Sequence, residues 1–222
     1  MTENPGGIRL LIRHSGPILI GKAIQYFGAL LYAIVIPRLM GPSVYGVFAV
    51  YSSLLILLYV LGDFGSLAIY GHYVPAFLIE GEDERVQRLF THLMLFKIGV
   101  GLIIGIVFVI IGKFILPEWP QEWLWLGATT IIIRIAADNF YHLAYGLDNM
   151  VRWIARESLR FVVQFILVLP LFFIFSIPGA ITGILIADIL FFLYGISWAW
   201  KYFRPLDIQF QYLMPFLRFG AA

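Results

Sequence analysis

Six ionisable residues stand inside long apolar stretches of this chain: Lys22, Asp63, Lys97, Arg134, Asp138 and Asp188. Charge at membrane depth is costly, and such residues face a cavity or a partner of opposite sign. The chemistry they offer is to hold charged groups and to exchange protons. An arginine can hold an anionic group of a ligand. A neighbouring aspartate can keep that grip from becoming too tight, or exchange a proton. Helical spacing gathers several of them into stripes. Lys22, Gln25, Ala29 and Tyr32 share one face, and Ser52, Tyr59, Asp63, Ser66 and Tyr70 share another. Thr130, Arg134, Asp138, Tyr141 and Tyr145 follow at steps of three and four. A five-residue polar stripe does not belong against lipid.

Each candidate also has a plainer reading. Lys22 and Lys97 lie near span ends, where their stems could carry the ammonium to the headgroups. Arg134 and Asp138, at i and i+4, could simply neutralise each other. Asp63 sits in Gly62-Asp63-Phe64-Gly65 and could cap a broken helix. Asp188 is the deepest isolated acid, for which a proton or ion site is the sharper expectation. The cavity-lining candidates are Lys22, Gln25, Asp63, Lys97, Arg134, Asp138 and Tyr141, and the ion-coupling candidates are Asp188 and Asp138.

The elements that must position these residues follow from composition. Of 222 residues, 61% are hydrophobic and 13% charged, against about 45–50% and about 25% in soluble domains. Mean hydropathy is +0.91. A water-soluble fold could not bury so much apolar side chain, and the continuous apolar runs exclude the alternation of a membrane β-barrel. The expected fold is an all-α integral membrane protein. Spans are expected at 18–38, 45–70, 89–116 and 123–147. Residues 161–200 carry one charge, Asp188, and are divided by Ser176-Ile177-Pro178-Gly179. At 1.5 Å per residue they make about 60 Å of helix, enough for two further crossings.

Basic residues set the orientation. Arg9 and Arg13, Arg85 and Arg88, then Arg152, Arg156 and Arg160, and finally Lys201, Arg204 and Arg218 fall on one side of the six-span scheme; Arg38 and Lys113 fall on the other. The expectation is N-in and C-in. Residues 1–15 read as a cytoplasmic interfacial segment, 16–201 as a six-helix lobe and 202–222 as a cytoplasmic connector.

Enzyme signatures are absent. There is no G-x-x-x-x-G-K-[ST], H-E-x-x-H or G-x-S-x-G. Cysteine is absent, and the four histidines have no acidic partner at a familiar spacing. No metal site, cofactor or nucleic-acid partner is expected; net charge is only +2. Gly101/Gly105 and Gly179/Gly183 are two G-x-x-x-G spacings that permit close helix crossings, and Pro170 is expected to kink span five.

Residues 37–48, Pro-Arg-Leu-Met-Gly-Pro-Ser-Val-Tyr-Gly-Val-Phe, close about 15 residues later with Leu61-Gly62-Asp63-Phe64-Gly65. This pattern resembles the N-terminal region of the polysaccharide transporter family, the Wzx-type O-antigen and oligosaccharide flippases of the MATE-like superfamily. The resemblance implies a multi-pass carrier of the inner (cytoplasmic) membrane, without a cofactor. It would move a polyprenyl-pyrophosphate-linked oligosaccharide from inner to outer leaflet by alternating access between two six-helix lobes. Its partners would be that lipid-linked oligosaccharide, membrane lipids, and a second lobe or second copy.

The end of the chain, Leu213-Met214-Pro215-Phe216-Leu217-Arg218-Phe219-Gly220, weakly repeats Leu11-Ile12-Arg13-His14-Ser15-Gly16 ahead of span one. The expectation is therefore one lobe of a protein about twice as long. One feature departs from the family. The six membrane charges are three basic and three acidic and sum to zero, whereas a pyrophosphate cavity should be net positive. Two alternatives stay open: a cation-coupled multidrug or metabolite exporter of the same superfamily, and a membrane enzyme of the same pathway.

Overall fold

The structure, a computed structural model, describes the backbone of residues 5–203, 214–216 and 220, with side chains from residue 18 onward. The described residues form six α-helices and a closing 3-10 turn, Trp200–Tyr202: α1 Pro5–Met40, α2 Pro42–Leu61, α3 Ser66–Ile79, α4 Asp83–Ile115, α5 Gln121–Gly146 and α6 Met150–Ala199. No strand occurs among them.

Local chemistry explains the boundaries. Gly41, at φ 76°, ends α1, and Pro42 opens α2, the backbone freedom and fixed φ those two residues supply. Asp83 and Glu84 occupy the first turn of α4 and Lys113 its last, complementing the helix dipole. The Asn149 side chain accepts a hydrogen bond from the Arg152 N–H at 3.2 Å and caps α6.

α1 runs unbroken from Pro5 to Met40. The span expected over 45–70 is corrected: it is two helices. The chain leaves the helix at Gly62, and Phe64 (φ 49°) and Gly65 (φ 64°) are left-handed before α3 begins. The break in α6 falls at Ser176, with φ 59° and ψ −141°, in the stretch 176–179, while Pro170 keeps helical backbone angles.

That break folds α6 back on itself. A Cβ built on Gly183 would lie 2.8 Å from Val168 Cα, although a straight helix would hold residues 15 apart at about 22 Å. Val168 shares a buried cluster with Ala180 and Ile184. The glycines at 179 and 183 are what let the two arms touch, while Gly101 and Gly105 meet Ile132 and Ala128 of α5.

α5 is the central helix. It packs against α2, α3, α4 and α6, while α1 lies on α6 and α2. Among the described residues, four stretches are long and apolar enough to cross a membrane: 18–40, 42–79, 83–115 and 150–202. α5 is not among them, because it carries its charges into the protein interior: Arg134 and Asp138 are both buried. The outer surface has the opposite character. Leu19, Phe27, Ile103, Phe114 and Phe173 are all more than half exposed, as lipid-facing side chains are. The chain is thus a multi-pass helical membrane protein.

The connector expected over 202–222 lies mostly outside the described residues. Phe216 is buried against Tyr73 and Phe77 of α3. Gly220 comes so close to Gly65 that a side chain on the latter would meet its carbonyl.

Candidate functional site

α5 presents Arg134, Asp138 and His142 at i, i+4 and i+8, a ladder whose rungs are about 6 Å apart. Each rung is completed by other helices. Arg134 donates from Nε and Nη2 to Asp188 Oδ2 at 2.9 and 2.7 Å. Asp138 forms an ion pair with Arg156 and accepts a hydrogen bond from the Tyr59 hydroxyl. Arg156 also reaches the Arg134 carbonyl at 3.5 Å. All four charged side chains are buried. Such charges are tolerable only when paired and hydrogen-bonded, and removing one partner strands the other.

Arg134 and Asp138 therefore do not neutralise each other. On a single helix their heads can turn to different neighbours, and here Arg134 turns to the second arm of α6 while Asp138 turns to the first arm and to α2. Asp188 is correspondingly not an isolated acid.

The third rung is separate in chemistry. Ser66 Oγ lies 2.8 Å from Asp63 Oδ1 and 2.7 Å from His142 Nδ1. Lys97 Nζ stands 3.6 Å from Asp63 Oδ1, and His142 Nδ1 3.7 Å from the same oxygen. Asp63 is thus held at the α2–α3 break by groups from α3, α4 and α5.

The remaining candidates lie elsewhere. Lys22 Nζ donates to Gln25 Oε1 at 2.8 Å, and Gln25 Nε2 donates to Glu157 Oε2 at 3.2 Å, joining α1 to α6. Tyr141 bridges two helices. Its hydroxyl donates to the Phe191 carbonyl at 2.9 Å and ties α5 to the second arm of α6. Thr130 bonds back to its own helix at Leu126 O.

Beside the Arg134 rung is a cavity of about 240 Å³, bounded by α1, α2, α5 and α6. Tyr32, Ser52, Tyr59, Arg134, Arg160 and Gln164 supply its polar lining. Arg160 Nε and Ser52 Oγ are buried without a hydrogen-bond partner among the described residues. The Arg160 guanidinium lies over the Phe161 ring at 5.7 Å, and no carboxylate among the described residues is within ion-pair distance of it.

Arg152, Arg156 and Arg160 fall between the spans expected at 123–147 and 161–200; all three are in α6, which starts at Met150. The signal that could have found them is their spacing. Positions 152, 156, 160 and 164 step by four into the apolar run, ending on Gln164, which is buried. His142 was legible in the same way, one step beyond Asp138.

Neither a protein family nor a curated protein matches the sequence. Two solved structures match the fold. One is a MOP superfamily transporter from Pyrococcus furiosus Vc1, described as having a binding pocket of reverse polarity; TM-score 0.60, 18% identity. The other is a multidrug resistance MATE family transporter of the MOP superfamily in an outward-facing conformation; TM-score 0.63, 17% identity. Each match covers 95% of this chain and 50% of the other. The fold is therefore similar to that of half of each of these two structures, and the chain spans about half the length of the transporters it matches.

Proposed function

We propose that the chain is one lobe of a carrier that moves a polyprenyl-pyrophosphate-linked oligosaccharide across the cell membrane by alternating access. Its six crossings would run 18–40, 42–79, 83–115, 121–146 and the two arms of α6, with both ends on the cytoplasmic side and a second lobe, or a second copy, closing the cavity. The fold supports a transporter. The observation that carries the cargo assignment is Arg160 at the cavity edge, buried at Nε and without a carboxylate.

With Arg156 and Arg160 drawn inside, the interior charges are Lys97, Arg134, Arg156 and Arg160 against Asp63, Asp138 and Asp188. The balance read from sequence as zero becomes positive, and the surplus cation borders the cavity. A pyrophosphate would complete the hydrogen bonding of Arg160 and Ser52, as arginine favours bidentate oxyanions.

The test is binding to the chain in lipid nanodiscs of a fluorescent polyprenyl pyrophosphate and of the same polyprenol without phosphate. The pyrophosphate lipid should be retained and the neutral one not, and Arg160→Gln should abolish the difference at unchanged thermal stability. Equal retention of both lipids by the unaltered protein would overturn the assignment. The cation-coupled exporter remains the second reading, favoured by the three carboxylates that each already hold a cation.

A further inference from the structure

The fold-back at Ser176 brings the two ends of α6 together, and the residues that meet there are cationic and aromatic. The Arg152 guanidinium, in the first turn of the first arm, lies 4.9 Å over the ring of Trp198, near the end of the second arm. Lys201 follows Trp198 by three residues, one turn further along the same end, and its Nζ stands 5.0 Å from the Tyr202 ring. No carboxylate among the described residues lies within ion-pair distance of either cation. Trp198 Nε1 is buried without a hydrogen-bond partner among the described residues, although a buried indole N–H ordinarily finds one. A cation that only marked the membrane boundary would extend its head into water. Arg152 is instead half-buried and turned onto an aromatic ring.

The neighbouring surface shows what kind of molecule fits this end. Leu190, Leu193, Tyr194, Ser197, Trp200 and Lys201 are all exposed, and their helical spacing places them in one outward stripe. Leu193 is 55% exposed and Trp200 67%. The stripe starts apolar and ends at a charge. From residue 190 to residue 201 it is about 16 Å long at 1.5 Å per residue, about half of a roughly 30 Å hydrocarbon core. That is the depth of one leaflet. On the other arm Val151, 62% exposed, continues the apolar border beside Arg152. The matching ligand has an apolar tail one leaflet long and an anionic head.

We propose that this end of the α6 hairpin binds one anionic glycerophospholipid. Its phosphodiester sits between Arg152 and Lys201, with a phosphate oxygen accepting from Trp198 Nε1–H, and its acyl chains lie along the stripe that begins at Leu190. The charge of the head answers two cations that the protein leaves without a carboxylate, and arginine suits a phosphate through paired N–H donors. The bound lipid fastens the start of the first arm to the end of the second, just ahead of Phe203, where the helical chain ends. This site is separate from the cavity at Arg160 and does not depend on what the carrier transports.

The experiment is native mass spectrometry of the full chain released from nanodiscs of phosphatidylglycerol and phosphatidylcholine in equal parts. One phosphatidylglycerol should stay with each chain and phosphatidylcholine should not. Arg152→Gln and Lys201→Gln should each lower that retention about five-fold, the worth of one cation near an anionic lipid surface. Trp198→Phe, which keeps a ring under Arg152 but has no N–H, should lower it as well. Lys113→Gln, which removes a cation from the last turn of α4, should leave it unchanged. Melting in phosphatidylcholine alone should be the same for the unaltered chain and for Lys201→Gln, whose side chain is exposed; added phosphatidylglycerol should then raise the melting temperature of the unaltered chain only. Excess glycerol 3-phosphate, the head without the tails, should not displace the lipid. Equal retention of the two lipids, an equal loss with Lys113→Gln, or displacement by glycerol 3-phosphate would overturn the proposal.

Discussion

Arg134 and Asp188 lie 54 residues apart in sequence and are joined by two hydrogen bonds from the guanidinium to one carboxylate oxygen, at 2.9 and 2.7 Å. The pair binds the central helix α5 to the returning arm of α6 from inside the lobe, where neither group reaches water.

Removing one member should therefore unfold more than it disables. Asp188→Asn should cost about 3–5 kcal/mol, the range for stranding one partner of a buried pair, read as a lowered melting temperature in detergent. Arg134→Leu combined with Asp188→Leu should recover most of that loss. Arg134→Leu combined with Asp138→Leu should not, because it strands both Asp188 and Arg156. Equal rescue by the two double variants would contradict the pairing.

The fold-back of α6 makes a steric prediction. Gly183→Leu should destabilise by at least about 1–3 kcal/mol, the cost of overpacking, since the new side chain meets Val168 backbone rather than a movable side chain. Gly46→Ala in α2 is the control. A Cβ there has nothing within 4 Å, so the change should be neutral or stabilising by about 0.5–1 kcal/mol, the helix preference of alanine over glycine. Thermal unfolding of both variants in one detergent gives the comparison.

Sidedness can be read with single cysteines, because the chain has none of its own. Asp83→Cys, at the first residue of α4, should react with an impermeant thiol reagent only after membranes are opened. Glu118→Cys, between α4 and α5, should react in intact cells. Both positions are exposed. Labelling of Asp83→Cys from outside would reverse the proposed orientation.

A fourth prediction concerns the docking of the segment near residue 220. Gly65→Val should detach it, since Gly65 has φ 64° and a side chain there would meet the Gly220 carbonyl. A β-branched residue is strained in that backbone region as well. Limited proteolysis should cut the variant between 203 and 220 faster than the unaltered chain, and an unchanged cleavage rate would show that the contact does not hold the segment.

Much of the fold was legible because bilayer physics is coarse. Apolar runs and charge gaps mark helices wherever they lie in a sequence, and Gly41-Pro42 and residues 176–179 punctuate the chain through backbone chemistry alone. The α2–α3 break was half legible: two glycines flank Asp63, yet a continuous apolar run still reads as one span. The candidate site was less legible. Arg134, Asp138 and Asp188 do meet in one region, but Lys22 and Gln25 belong to an α1–α6 contact and Tyr141 to a helix clamp. Arg156 and Arg160 were misplaced because a basic residue beside an apolar run looks the same whether its helix end is in water or folded into the lobe.

That the protein is helical, belongs in a bilayer and must hide some of its charges is written in its residues. Those results depend on composition and on spacing along one helix, which neighbours in the chain settle. Which charge answers which is a property of the packed lobe. Arg134 chose Asp188 over Asp138, Asp138 took Arg156, and Arg160 was left facing a cavity. A long side chain on a helix can turn toward any helix beside it, and which helix lies there is set by the packing of the whole lobe.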